Sequence, residues 1–176
     1  MRLRLDLSKT IFYFKVSGYV KSTKLDWDNK WCITDGCIEN PYLHIDIQGE
    51  VLLSSEIDSL ADGLDDLLNG RLSDTRIIEC VEPVLSFVLY SKEDLRKKSP
   101  LLSMQEERDI KDVCAKMIVH LWADGALTEN SIHLSLTRYD IQALLVYLRY
   151  VKHEVSAQST EVSELIKTGI LHEEYS

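Results

Sequence analysis

The side chains best suited to chemistry at neutral pH are five histidines and four cysteines: His44, His120, His133, His153 and His172, with Cys32, Cys37, Cys80 and Cys114. A histidine works as a base or metal ligand when a partner fixes its ring. His44 and His133 fall at polar positions of alternating stretches, which makes them exposed or half-exposed strand residues. His120 lies in an apolar strand pattern, where a satisfied core or rim histidine is expected. His153 and His172 fall at a helix end and in the tail. His120 with Asp124, or His133 with Cys114, could meet as a dyad, although nothing in their spacing requires it. Cys32 and Cys37 are spaced too widely for a C-x-x-C knuckle, and no His-x-x-x-His accompanies them. All four thiols read as buried and free in a reducing compartment. The sequence has no G-x-S-x-G, no P-loop and no H-E-x-x-H. The reading is therefore a protein that is not an enzyme and needs no cofactor or metal.

Carboxylates give a stronger signal. The formal net charge is -9, from 29 acidic and 20 basic residues. Between Lys30 and Arg71 there is no lysine or arginine, and that window holds Asp35, Glu39, Asp46, Glu50, Glu56, Asp58, Asp62, Asp65 and Asp66. The rest of the chain is balanced, so the whole imbalance lies in this window. A concentrated negative field favours a basic partner and disfavours direct binding of nucleic acid. The same charge also serves solubility. The candidate partner-binding residues are Asp35, Glu39, Asp46, Glu56, Asp58, Asp62, Asp65 and Asp66. Trp27, set between Asp26 and Asp28, is the candidate aromatic anchor. Trp31 and Trp122 read as half-buried strand residues.

Helices and strands must position these groups. A period of two marks strands at 11–19, 31–38, 42–48, 76–81, 84–90, 113–122 and 131–136. Asn40-Pro41, Glu82-Pro83 and Asp124-Gly125 supply turns. Residues 54–69 form an amphipathic helix with Ile57, Leu60, Leu64, Leu67 and Leu68 on one face. Ser54 or Ser55 is its expected cap, and Asn69-Gly70 its stop. The five carboxylates of this helix have no cation among them, so its polar face reads as unneutralised. Thr137 and Asp140 form a capping box for a second helix, carrying Ile141, Leu144, Leu145, Leu148 and Val151. The two helices share the pattern acid-Ile-x-x-Leu-x-x-x-Leu, a weak sign of internal duplication. The fold class is α+β, with antiparallel sheets and two amphipathic helices packed on strands. Residues 1–153 read as one domain and 154–176 as a loosely attached tail with a short helix.

No run approaches the roughly 18 apolar residues of a membrane span. The N-terminus has no long apolar run and no small-residue cleavage site. A cytoplasmic protein with no membrane partner is expected.

The stretches DNKWCITDGCIE, SSEIDSLADGLDDLLNG, IIECVEPVLSFVLY and SIHLSLTRYDIQALLVYLRYV, in that order, resemble WapI-type immunity proteins. The matching features are Asp28 and Trp31, the helix from Glu56 to Leu68, Glu82-Pro83, and the strand and helix from Ile132 to Leu148. The resemblance covers most of residues 26–151. The chain departs from it in a polar loop at 92–109 and in its tail. The resemblance implies a bacterial cytosolic protein that neutralises the C-terminal toxin domain, a nuclease, of a contact-dependent or polymorphic toxin. An acidic surface would then occlude a basic toxin domain. A non-catalytic adaptor, or an enzyme with a noncontiguous site near His44, His120 or His133, remains open at this point.

Overall fold

Alternating apolar residues build two antiparallel meanders, each running straight into a helix. The computed structural model describes residues 1–7, 9–21, 30–91, 115–123 and 126–173. The first meander comprises β1 (Arg2–Leu7), β2 (Thr10–Ser17), β3 (Trp31–Asn40) and β4 (Leu43–Leu53), followed by α1 (Ser54–Leu68). The second comprises β5 (Arg76–Glu79), β6 (Leu85–Leu89), β7 (Ala115–Ala123) and β8 (Ala126–Leu136), followed by α2 (Arg138–Val151). A third helix, α3 (Thr160–Lys167), and a short strand, β9 (Leu171–His172), close the described chain. The sheet orders are β4-β3-β2-β1-β9 and β5-β6-β7-β8. The α+β class with antiparallel sheets is as the periodicity predicts.

The duplication is visible in this element order. The last two strands and the helix of each meander recur at an offset of 84 residues, the separation of Asp65 and Arg149. At that offset Ile57, Leu60 and Leu64 correspond to Ile141, Leu144 and Leu148, and all six are buried. Each burial contributes roughly 1.5–3 kcal/mol. The helices are exchanged between the halves. On α1, a Cβ at Gly63 would lie 2.8 Å from Leu89 of β6, so glycine lets α1 press against the second sheet. The corresponding residue of α2 is Tyr147, which reaches the first sheet. Its hydroxyl accepts a 2.8 Å hydrogen bond from the Val16 amide, and its ring meets Phe14 edge-on. One hydrophobic cluster therefore runs through both sheets and all three helices.

Two expectations need correction. Neither Ser54 nor Ser55 caps α1. The cap position is Leu53, whose side chain has no acceptor, and Ser54 is buried in the first turn, where its hydroxyl donates to the Lys30 carbonyl at 3.2 Å and accepts from the Val20 amide at 3.2 Å. The Glu56 carboxylate does the capping, accepting from the Leu53 amide at 2.8 Å and from the Val81 amide at 2.6 Å. In α2 the expected box forms: Asp140 accepts from the Thr137 amide at 2.8 Å. The tail is not loose over its described length. Ser159 caps α3, and Val162, Leu165 and Leu171 are buried. Leu171 pairs with Leu3, so β9 covers the edge that β1 would otherwise leave open. Polar composition predicts a loosely attached tail, but three apolar side chains and a free strand edge hold its described length.

Candidate functional site

The acidic window divides into two sets with different fates. On α1, distant residues supply the cations that the helix lacks. Tyr19 donates to Asp58 at 2.9 Å, and the Lys152 ammonium lies 3.2 Å from the same carboxylate. Asp65 meets Arg149 at 2.8 Å and also bonds Arg71. Asp66 accepts from Arg71 Nε at 2.8 Å and lies 3.4 Å from Arg76. Hydrogen bonding to Arg71 holds the Asp66 carboxyl below its usual range, and the Asp66 and Asp65 carboxylates raise Arg71 in turn. Burial would lower Lys152, but its bonds to Glu154 and Asp58 outweigh that and raise it. Glu56 is committed to two backbone amides. The helix face expected to be unneutralised is therefore largely compensated. Asp62 is exposed on the same helix.

The second set lies on the first sheet. In β3 the residues Asp35, Cys37 and Glu39 face outward, away from the buried Thr34 and Ile38. Across the ladder, Asp35 stands opposite Gln48 on β4 and opposite Lys15 on β2. Glu39 stands opposite His44, with Asp46 two residues further along β4. The His44 ring lies between them, Nδ1 at 3.4 Å from Glu39 and Nε2 at 3.2 Å from Asp46. Even a protonated ring leaves this trio net negative. Arg2 lies over the Tyr13 ring at 4.8 Å and reaches the Cys37 thiol at 3.7 Å. Burial, and then the Glu39 charge, raise that thiol, which lowers its thiolate fraction at neutral pH.

Beside the acidic trio the surface turns apolar. The turn after β3 is held by Asn40, whose side chain accepts from the Tyr42 amide at 2.8 Å. It presents Tyr42, 96% exposed, and Leu43. A cleft of about 500 Å³ runs from there between β4 and the end of β7, lined by Ile45, Ile47, Val119, His120 and Trp122 among others. Periodicity missed this cleft because it joins residues from different halves. Trp122, expected to be half-buried, is 44% exposed.

One member of each dyad candidate, Asp124 and Cys114, lies outside the described residues. His120 instead bonds Ser86 at 3.0 Å, and His133 bonds Ser131 at 3.0 Å. Cys32, Cys37 and Cys80 are buried and free. No group of metal-ligating side chains gathers among the described residues. Trp27 and the 92–109 loop also lie outside them. No described helix is long and apolar enough to cross a membrane.

Comparison with known proteins adds one finding. No curated protein and no solved structure matches the chain. The family model of the immunity protein WapI-like family matches residues 3–153, from the first strand of the first sheet to the end of α2. Both exchanged helices and the acidic β3–β4 hairpin fall within that span. The chain belongs to the WapI-like immunity protein family.

Proposed function

We propose that this protein neutralises a toxin by binding its C-terminal domain in the cytoplasm and occluding it, without turnover, and that this domain is a basic nuclease. The observation that carries the reading is the net-negative trio on β3 and β4, Glu39 and Asp46 about His44, on a chain of an immunity family. A nuclease must present cations to hold phosphates. An acidic inhibitor meets such a surface quickly through long-range attraction, and a patch at the contact then blocks access to the substrate. Exposed Tyr42 and Leu43 supply apolar contact beside the charge. Trp27 is a further part of the proposed contact. The α1 carboxylates Asp58, Asp65 and Asp66 contribute to the field, but their near partners are internal cations.

The test uses the toxin domain encoded by the adjacent reading frame, assayed on RNA and DNA. One equivalent of this protein should form a stable complex and abolish cleavage, with association slowing as salt rises. Undiminished cleavage with excess protein would overturn the reading.

A further inference from the structure

We infer that β4 is a docking edge, and that its occupant is an extended segment of the toxin domain, with alternating apolar and cationic residues, which adds to the first sheet as a sixth strand. This inference rests on the inhibitory role proposed above and specifies how the surface is used. Among the described residues β4 ends the sheet order, so one side of its backbone has no strand partner. Free edges are normally shortened, broken by proline or guarded by lysine. From Leu43 to Leu53, β4 is 11 residues long and contains no proline, lysine or arginine. Its pairing with β3 stays in register from Leu43 to Glu50, and the bulge comes only beyond that stretch.

The cleft indicates where such a strand would lie. Consecutive residues of β4, from Leu43 to Gln48, line it. Neighbouring residues of a strand point to opposite faces, so a cleft that touches all of them lies along the edge and not over a face. A strand laid there would turn alternate side chains toward Ile45, Val119 and Trp122. The side chains between them would lie beside His44, Asp46 and Glu50 on the outer surface. The first set requires apolar residues and the second requires cations.

The opposite half provides an internal control. β8 is also a terminal strand, but past the irregularity between His120 and Trp122 it pairs Ala126 with Ala123 and Leu127 with Trp122, where β4 pairs His44 with Glu39 and Ile45 with Ile38. The same backbone edge recurs there with one exposed carboxylate, Glu129, where β4 carries Asp46 and Glu50. Main-chain pairing supplies affinity in this recognition mode, and side chains on alternate positions supply choice.

The test is amide hydrogen exchange on the full chain, alone and saturated with the toxin domain from the adjacent reading frame. Strand addition should slow exchange at alternate residues from Leu43 to Glu50 and leave β8 unchanged. Trp122→Ala, at an exposed position, should weaken the complex by about tenfold or more. A complex that forms while exchange along β4 stays as in the free protein overturns strand addition and leaves the inhibitory role intact. Failure to form any complex removes both.

Discussion

Asp65 on α1 and Arg149 on α2 are equivalent residues of the two repeated halves, 84 positions apart, and their side chains meet at 2.8 Å. The contacts Asp58–Lys152, Asp65–Arg149 and Leu68–Arg138 run in opposite directions along α1 and α2, so the helices lie antiparallel with the equivalent positions Asp65 and Arg149 facing each other. The sequence has a carboxylate in one copy and a guanidinium in the other. The pair should therefore couple in a double-mutant cycle with Asp65→Asn and Arg149→Met, by about 0.5–1 kcal/mol given its partial exposure. Additive effects in chemical denaturation would contradict a direct interaction.

Glu56 ties the end of β4 and the start of β5's following turn to the first turn of α1 through the Leu53 and Val81 amides. Glu56→Ala should destabilise the fold by about 2 kcal/mol, since charged acceptors at helix starts contribute that order. Glu56→Gln, which keeps an uncharged acceptor, should cost less. Asp62→Ala, at an exposed position, should stay within about 0.5 kcal/mol of wild type. Equal effects of Glu56→Ala and Asp62→Ala in urea unfolding would refute the capping role.

Alkaline solution should unfold this protein early. Burial pushes the Cys80 thiol up to about 12 and also raises Cys32 and Cys37. Burial and the hydrogen bond to Asp58 push Tyr19 up to about 12. An unfolded thiol ionises near pH 8.5, so above that the unfolded chain binds fewer protons than the folded one and stability falls as pH rises. The loss should begin near pH 8.5 and continue toward about 12, and Cys80→Ala should flatten it. Denaturation midpoints that hold level from pH 7 to 10 would count against it.

Leu171→Ala should cost about 2–4 kcal/mol, because the side chain is 1% exposed and its removal leaves a cavity beside Leu3. Thermal and urea unfolding check this, and a negligible effect would mean that the tail is loosely held after all.

Much of the fold was legible in the sequence. The alternation in 11–19, 42–48 and 131–136 and the stripes of α1 and α2 follow from local periodicity, which a linear reading captures. β1 is short and carries Arg2 and Arg4 between Leu3 and Leu5, so its strand character depends on pairing with β2, which the local pattern does not show. β9 is two residues long, and its pairing with β1 depends on an edge that the sequence does not show. The electrostatics of α1 are not legible in the sequence for a similar reason. A charge window sees neighbours in sequence, whereas Arg149 and Lys152 reach Asp65 and Asp58 from the other half of the chain. The acidic composition of the β3–β4 hairpin is local and is legible in the sequence, and in the fold Glu39 and Asp46 flank His44.

The central claim is that the β3–β4 carboxylates, and not those of α1, meet the toxin. The most direct measurement is the equilibrium affinity of the adjacent-frame toxin domain for three proteins at one salt concentration: wild type, Glu39→Lys with Asp46→Lys, and Asp62→Lys. Both charged sites are exposed, so folding should survive in each variant. The double reversal on the sheet should weaken binding by about 100-fold or more, since like charges facing a basic surface cost several kcal/mol. Asp62→Lys should remain within a few-fold of wild type. Wild-type affinity in the Glu39→Lys, Asp46→Lys protein, with its fold intact, would contradict the account.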